Sequence, residues 1–181
     1  MYECSEARMQ DKISTMSKFG DAGHGGITRY SLSPEALQAR GEFIRRMEAI
    51  GAEIKTDDVA CVYATLKGSD PFLKNIVMAS HCYSVKNGGN YDGILGVMGA
   101  MEVLETIAAE NIPHKHDITA MICLTVSADT IVYHTKDTGY DTDIISCCFQ
   151  DRSLLDMKFK HRFVFLRIQT VFDITFVTGC V

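Results

Sequence analysis

The spacing of apolar side chains predicts three helices along this chain. In residues 6–19 apolar residues recur every three or four positions, which is the period of an amphipathic helix. Residues 93–110 are apolar over most of the helix surface, so we expect a helix that is buried against a sheet. In the helix predicted at residues 6–19, one face carries Met9, Ile13, Met16 and Phe19.

The clearest helical signals lie in residues 33–51. Ser33 stands at the N-cap, Pro34 at the first helical position, and Glu35 near the positive end of the helix dipole. Gly51 is typical of the residue at which a helix ends. We expect one apolar face to pack on a sheet. This face consists of Leu37, Phe43, Ile44, Met47 and Ile50, of which Phe43, Ile44 and Met47 are expected to be buried.

Four further segments have the pattern of strands. Residues 53–58 predict a polar strand that ends in a turn, and residues 59–66 predict a half-buried strand. Residues 75–80 and 118–126 are apolar runs that suit the centre of a sheet. The order helix, strand, strand, loop, helix and strand predicts an α/β layered domain with some parallel pairing.

Length, charge and cysteine content narrow the class of protein. A chain of 181 residues with 46% apolar residues suits one domain with a substantial core. Its net charge of −5 argues against a nucleic-acid-binding surface, and no apolar run is long enough to predict a membrane span. Seven cysteines without a CxxC pair, and the lack of a visible secretory signal, favour reduced thiols in the cytoplasm.

The composition changes sharply along the chain. All three prolines and all nine glutamates precede residue 114, whereas six of the nine phenylalanines lie at or after Phe149. We therefore divide the chain into residues 1–125 and an atypical tail, residues 126–181. The apolar pattern near the end of the tail predicts a hairpin of exposed strands, and we expect low order beyond residue 126. A truncated or wrongly assigned reading frame and a genuinely diverged short protein are both compatible with this break.

The stretch SHCYSVKNGGNYDGILGV, residues 80–97, carries the candidate chemistry. His81 follows a predicted strand and Asp92 precedes a predicted helix, so both fall where ligands bind in open α/β sheets. Imidazole and carboxylate groups are good ligands for Zn²⁺, and the glycines between them allow tight folding of the backbone. The residues alone leave a second interpretation open, in which Asp92 caps the helix and His81 forms a hydrogen bond at the strand end.

The same stretch resembles the first metal motif of the zinc-dependent aminoacylase and carboxypeptidase superfamily. More narrowly, it is similar to carbamoylase-type amidohydrolases, which include N-carbamoyl-L-amino-acid hydrolases, β-ureidopropionases and allantoate amidohydrolases. The upstream stretch GGITRYSLSPEALQARGEFIRRMEAIGAEIKTDDVACVYATLKG, which begins at Gly25, also fits that group. The two motifs occur in the same order and with the right gap, and the match covers about residues 10–125.

The resemblance implies a fold, a metal site and a substrate class. It implies part of a zinc-exopeptidase-like layered domain, in which helices pack on a mixed sheet. It also implies that His81 binds one ion of a two-metal Zn²⁺ or Mn²⁺ site and that Asp92 bridges both ions. The implied substrate is a small N-carbamoyl or ureido compound, and the implied assembly is a homodimer whose dimerisation domain has no counterpart in this chain. The residues that the resemblance places near the substrate are Gly25, Gly26, Asn87, Gly88 and Gly89.

This chain departs from the family pattern at two places. Tyr83 stands where the family has an aspartate behind the metal-binding histidine. No glutamate follows Glu110, whereas the family places a pair of glutamates, a general base and a metal ligand, after the strand that corresponds to residues 118–126. We therefore expect an incomplete hydrolase of non-peptide C–N bonds that is inactive as it stands. The alternative is a non-catalytic remnant that binds metal weakly or serves as an interaction module.

Overall fold

The computed structural model describes residues 2–123 and three further strands, for which only the backbone is described. The helices and strands are α1 (Glu6–Met16), α2 (Pro34–Ala49), β1 (Glu53–Thr56), β2 (Val62–Leu66), β3 (Ile76–His81), α3 (Ile94–Ala109), β4 (Ile118–Cys123), β5 (Asp143–Ser146), β6 (Val164–Ile168) and β7 (Ile174–Thr178). The three predicted helices and the four predicted strands are therefore confirmed, and only residues 124–126 of the last strand lie outside the described residues. No described helix is long and apolar enough to cross a membrane.

The strand predicted at residues 59–66 begins three residues later than expected, at Val62. The cause is a turn that is organised by Asp57, whose carboxylate Oδ1 accepts hydrogen bonds from the backbone N–H groups of Val59 (3.1 Å) and Cys61 (2.8 Å). Ala60 adopts a positive φ of 61°, which is incompatible with an extended strand. A local side-chain contact therefore outweighs the β-propensity of this segment.

Helix α2 begins and ends as its sequence predicts. The Ser33 hydroxyl accepts a hydrogen bond from the Ala36 N–H at 3.3 Å, and Pro34 occupies the first helical position. At the other end Gly51 has a φ of +82°, and the Ala52 N–H donates to the Met47 carbonyl at 3.0 Å. With the Gly51 N–H, which donates to the Glu48 carbonyl at 2.9 Å, this C-terminal end forms a Schellman motif.

The buried face of α2 differs from the predicted one. Leu37 is 52% exposed, so its assignment to the packed face was wrong, and Ile44 is only partly buried. Successive helical residues are rotated by about 100°, so a face centred on Ala36 and its helical neighbours leaves Leu37 at the side. The fully buried side chains of this helix are Ala36, Ala39, Phe43 and Met47.

One mixed sheet forms the middle of the domain, with the strand order β1-β2-β4-β3-β5. Strands β1, β2 and β4 pair antiparallel, whereas β3 pairs parallel with both β4 and β5. Parallel pairing of β3 with β4 requires a crossover connection, which α3 provides. The predicted α/β class with helices on a mixed sheet is confirmed.

The core lies between the sheet and helices α2 and α3. Val62, Ala64, Met78, Ala120 and Ile122 contribute one face of the sheet to it. Burial of large side chains such as those that α2 contributes stabilises the domain by about 1.5–3 kcal/mol each. Helix α1 packs against α3, with apolar residues of α1 at the margin of the same core.

A buried cluster of charges joins α1 to α3. Lys12 and Glu102 are fully buried, and the Lys12 Nζ lies 2.6 Å from Glu102 Oε2. Arg8 reaches the other oxygen, with Nη2 at 2.7 Å from Glu102 Oε1, and Lys12 also pairs with Glu105. Burial alone raises the pKa of Glu102, but hydrogen bonds from Arg8, Lys12 and Ser5 outweigh it and keep the pKa below its ordinary value. The apolar pattern of residues 93–110 gave no sign of this cluster.

Most of the tail, residues 126–181, lies outside the described residues. The low order that we expect there stays a prediction. Two of the tail's described strands, β6 and β7, pair antiparallel, as the predicted hairpin requires. Strand β5 adds to the edge of the main sheet beside β3.

We expect Lys12→Ala to lower the free energy of unfolding by about 3–5 kcal/mol, because it leaves the carboxylates of Glu102 and Glu105 buried without their ammonium partner. Urea denaturation followed by circular dichroism measures the change. Lys55→Ala is the matched control, because its pair with Glu53 is exposed and screened by solvent, so its loss should change the stability little. Equal effects of the two substitutions would contradict the structural role of the cluster.

Candidate metal centre

The site lies at the edge of the sheet where β3 ends and α3 begins. His81 is the last residue of β3, and Gly93 directly precedes α3. The Ser80 hydroxyl donates to the Gly93 carbonyl at 2.7 Å and ties the two segments together. The loop between them therefore leaves the sheet and returns to the same edge.

The imidazole of His81 is held in one orientation by Tyr83. His81 Nδ1 lies 3.0 Å from the Tyr83 backbone carbonyl, which can only accept, so Nδ1 carries the proton. The two rings also stack, with centroids 4.3 Å apart and planes inclined by 29°. This arrangement leaves the His81 Nε2 lone pair as the atom that could bind a metal.

Gly93 makes room for that imidazole. A side chain at this position would overlap the His81 ring, so the ring lies directly against the Gly93 Cα. Gly93 also has a φ of +68°, which residues with a Cβ rarely adopt. Two independent constraints therefore require glycine here, and both concern the contact between the end of β3 and the start of α3.

Asp92 is exposed at the start of α3 and does not cap it. The helix has no side-chain cap, and the Asp92 carboxylate has no hydrogen bond or ion pair with the described part of the chain. Because Gly93 contacts the His81 ring, the structure brings Asp92, its neighbour in sequence, to the same edge of the sheet as His81. Of the two interpretations of Asp92, capping by its side chain is not observed.

The donor set in residues 2–123 is smaller than a complete catalytic site needs. No group of three or more His, Cys, Asp or Glu side chains in this part of the chain is placed to hold a metal ion. A catalytic zinc site has three protein ligands and one open position. His81 and Asp92 are the ligands expected from the sequence, and no group of three donors that contains them is found among residues 2–123.

The residues predicted near the substrate come together in a ribbon of two loops. Ile27 and Gly88 exchange backbone hydrogen bonds of 2.9 and 2.8 Å, and the Asn87 N–H donates to Thr28 Oγ1 at 2.9 Å. Gly26 packs against the Cα of Asn87, where an added Cβ would be tight. The exposed members of the predicted set are Gly25, Asn87 and Gly89. The ribbon continues directly from His81 and Tyr83, so it borders the candidate site.

Arg29 anchors this ribbon and was missed by the sequence interpretation. Its side chain is 1% exposed, and its Nη1 donates to the Met16 carbonyl at the end of α1 with a distance of 3.0 Å. Its backbone pairs with Ser84, whose N–H donates to the Arg29 carbonyl at 2.7 Å. Burial lowers the pKa of Arg29. Arg29 belongs to the GGITR stretch that begins at Gly25, but the apolar periodicity gives no sign that it is buried.

Cys82 follows His81 in sequence but faces the core. It is buried among apolar residues, and burial raises the pKa of its thiol. A buried thiol with a raised pKa is a poor nucleophile, so Cys82 has a packing role here.

Comparison with known proteins confirms the resemblance to carbamoylase-type amidohydrolases over part of the chain. The chain is 29% identical over 114 residues to an N-carbamoyl-L-amino-acid amidohydrolase from Pseudomonas sp. (strain NS671), which is 63% of this chain and 28% of that relative. It is 35% identical over 97 residues to the allantoate amidohydrolase of Bacillus subtilis (strain 168), which is 54% of this chain and 24% of that relative. The chain thus spans about a quarter of the length of these relatives, and no family model matches it.

Solved structures agree with this resemblance. An amidase of the hydantoinase/carbamoylase family from Burkholderia multivorans superposes with a TM-score of 0.64 at 27% identity, covering 66% of this chain and 29% of that one. The corresponding amidase from Burkholderia vietnamiensis gives the same TM-score of 0.64, identity of 27% and coverages of 66% and 29%. The relatives named here are thus N-carbamoyl-L-amino-acid and allantoate amidohydrolases and amidases of the hydantoinase/carbamoylase family.

We expect Gly93→Ala to destabilise the domain and to displace the His81 ring. The positive φ alone costs a residue with a Cβ about 1–2 kcal/mol, and the overlap with the imidazole adds to that cost. Urea denaturation measures the first effect, and the His81 ring signals in an NMR spectrum report the second. Gly99→Ala in α3 is the control, because the added Cβ meets open space there and should be neutral or stabilising.

We expect Tyr83→Ala to loosen His81, whereas Tyr83→Phe should leave it unchanged. The stacked ring restricts the imidazole, and such ring contacts are worth about 0.5–1.5 kcal/mol. Nitrogen-15 NMR of the His81 ring distinguishes one fixed tautomer from an average of two. If both variants keep the tautomer of the parent chain, the backbone carbonyl alone orients His81 and the stacking argument is wrong.

Proposed function

We propose that this chain carries part of the active site of a metal-dependent hydrolase that acts on non-peptide C–N bonds in N-carbamoyl or ureido compounds. The observation that carries the proposal is the orientation of His81, whose Nδ1 is engaged by the Tyr83 carbonyl at 3.0 Å so that Nε2 is left available at the end of β3. Asp92 directly precedes Gly93, the residue that the His81 ring lies against. The resemblance to carbamoyl and ureido amidohydrolases supports the reaction class. The substrate would be small and would carry a planar carbamoyl or ureido group.

The proposed metal is Zn²⁺ or Mn²⁺, with His81 and Asp92 as two of its ligands. A bound metal of this kind supplies Lewis acidity toward the scissile carbonyl. The protein's own contribution within residues 2–123 is orientation, because the Tyr83 carbonyl fixes the protonated nitrogen of His81. Among the described residues no group of three side chains is placed to hold the metal ion.

The ribbon beside His81 is the proposed substrate-binding part of this edge. Gly25, Asn87 and Gly89 are exposed there, and glycines leave backbone N–H groups accessible to a substrate carboxylate or ureido oxygen. Arg29 does not contact the substrate in this proposal. Its buried guanidinium instead fixes the ribbon to the end of α1.

The chain as it stands is proposed to lack turnover. A general base contributes about 10²–10⁴-fold to such reactions, and no glutamate follows Glu110 to serve as one. We also propose that residues 1–125 are the hydrolase-like unit and that residues 126–181 do not complete it. A cytoplasmic location is part of the same proposal, since seven cysteines without a CxxC pair suit a reducing compartment.

The two-ligand arrangement also favours a second candidate function, which is weak metal binding without catalysis. The described residues offer a pre-oriented imidazole and an unengaged carboxylate but no third donor. Metal affinity and turnover therefore need separate measurements.

We expect the purified full chain to bind Zn²⁺ weakly in isothermal titration calorimetry and to release no more ammonia from N-carbamoyl amino acids than His81→Ala does. Substitution of His81 or Asp92 by Ala should weaken binding at least about tenfold, since even the loss of an outer partner of a metal ligand costs 10–100-fold. Robust metal-dependent turnover that Asp92→Ala abolishes would contradict the proposed incompleteness.

Two matched controls accompany this experiment. His116→Ala removes an imidazole from the loop before β4, at the opposite edge of the sheet, and Glu110→Ala removes a carboxylate from the far end of α3. Neither control should change Zn²⁺ affinity. If they weaken binding as much as His81→Ala and Asp92→Ala do, the metal binds elsewhere and the proposed site is wrong.

A further inference from the structure

Two cysteines face each other across strands β2 and β4, next to the candidate site. The last paired residues of this antiparallel ladder at this edge are Val62 and Ile122. The next position outward therefore places Cys61 opposite Cys123. Cys123 in turn pairs with His81 across the parallel ladder between β4 and β3.

The hydrogen bonds of Cys61 show which kind of pair this is. Its N–H donates to Asp57 Oδ1 at 2.8 Å, and its carbonyl accepts from the Asp57 N–H at 3.2 Å. In an antiparallel sheet the N–H and C=O of one residue point to the same side, so Cys61 uses both toward Asp57 and neither toward β4. Cys61 and Cys123 therefore occupy a non-hydrogen-bonded position, where opposing side chains approach most closely.

This position has the spacing that a disulfide needs. Non-hydrogen-bonded antiparallel pairs have Cα atoms about 4.5 Å apart, and disulfides span Cα separations of about 4.4–6.8 Å. Both side chains also lie near the Tyr63 phenol. Burial and the hydrogen bond to Asp57 raise the pKa of Tyr63, and the thiols of Cys61 and Cys123 add to the same shift.

The accessibility of the pair suits a stepwise reaction. Cys123 is partly exposed, whereas Cys61 is 8% exposed, and both are present as thiols. Cys82 lines a small cavity together with Cys123, but it faces the apolar core and is not on a paired strand position opposite Cys123. Cys4 lies before α1, near the charges of Glu102, Arg8 and Lys12.

We propose that Cys61 and Cys123 form a redox-convertible pair that closes to a disulfide across β2 and β4 when a small-molecule disulfide, such as oxidised glutathione, is present. The Cys123 thiolate attacks one sulfur of that molecule, forms a mixed disulfide and releases one thiolate. The Cys61 thiolate then attacks the Cys123 sulfur and releases the second thiolate. The two protein thiols are oxidised, the small disulfide is reduced, and the two protons pass to the released thiolates.

The consequence for the candidate site is a covalent link beside His81. The disulfide joins the ends of β2 and β4 at the position that neighbours the last residue of β3. This inference is independent of the hydrolase proposal, because it rests on strand register and on the hydrogen bonds of Cys61. Its failure would leave the metal site untouched.

The test is peptide mapping of the folded full chain after incubation in oxidised or reduced glutathione, followed by alkylation and trypsin digestion. The expected result is a linked pair of peptides, 56–67 and 116–136, in the oxidised sample and its loss after reduction. Each of these peptides contains one cysteine, and Cys82 lies alone in peptide 75–86, so the linkage is unambiguous. The linked pair should vanish in Cys61→Ser and in Cys123→Ser and should persist in Cys82→Ser.

Two results would overturn the proposal. One is a linkage of Cys123 to Cys82 in equal or greater yield, and the other is complete separate alkylation of Cys61 and Cys123 in chain that circular dichroism shows to be folded. The same incubation in guanidinium chloride provides the reference for random pairing. The linked peptides of the parent chain decide the question even where a serine variant does not fold.

Discussion

The contact between the His81 imidazole and the Gly93 Cα is the constraint on which this edge of the domain depends. It exists because β3 must turn at its end and return to the same edge before α3 can cross over to β4. A side chain at position 93 would occupy the space of the imidazole, and the positive φ of Gly93 gives the backbone its direction into α3. The hydrogen bond from Ser80 to the Gly93 carbonyl closes the same junction. The same junction between β3 and α3 therefore positions His81 and starts the crossover helix.

Tyr83 shows how the site keeps an oriented imidazole without the carboxylate that the resemblance leads one to expect. A carboxylate would accept the Nδ1–H hydrogen bond and also add negative charge that strengthens the histidine as a ligand. In this chain the backbone carbonyl of Tyr83 accepts that bond, and the phenol ring supplies a stacked surface instead. The His81 imidazole thus keeps its orientation but lacks a negatively charged partner at Nδ1. An imidazole that is oriented but has no charged partner is compatible with the weak metal affinity that we propose.

Buried charges hold the outer layer of the domain in place. Helix α1 covers α3 through the pairing of Lys12 and Arg8 with Glu102, and its end is fixed to the ribbon by the guanidinium of Arg29. Burial of such groups is costly unless each is paired, so these contacts specify one position for α1 rather than adding much net stability. The position of α1 in turn fixes the ribbon beside His81, because Arg29 joins the two. The geometry of the candidate site therefore depends on the buried charges that position α1 as well as on Arg29 within the ribbon.

Local spacing and short motifs were enough to predict the helices, the strands before residue 124, the caps of α2 and the resemblance to carbamoylase-type amidohydrolases. The exposure of Leu37 and the burial of Ala36 were visible only in the folded chain, since both residues are apolar and the packing partner selects the buried face. The tertiary structure also decided that Lys12 pairs with Glu102, 90 positions away, and that Cys61 lies opposite Cys123. Such contacts join residues that are distant in sequence, so no periodicity reports them. They follow from strand order and helix packing, which a local pattern does not contain.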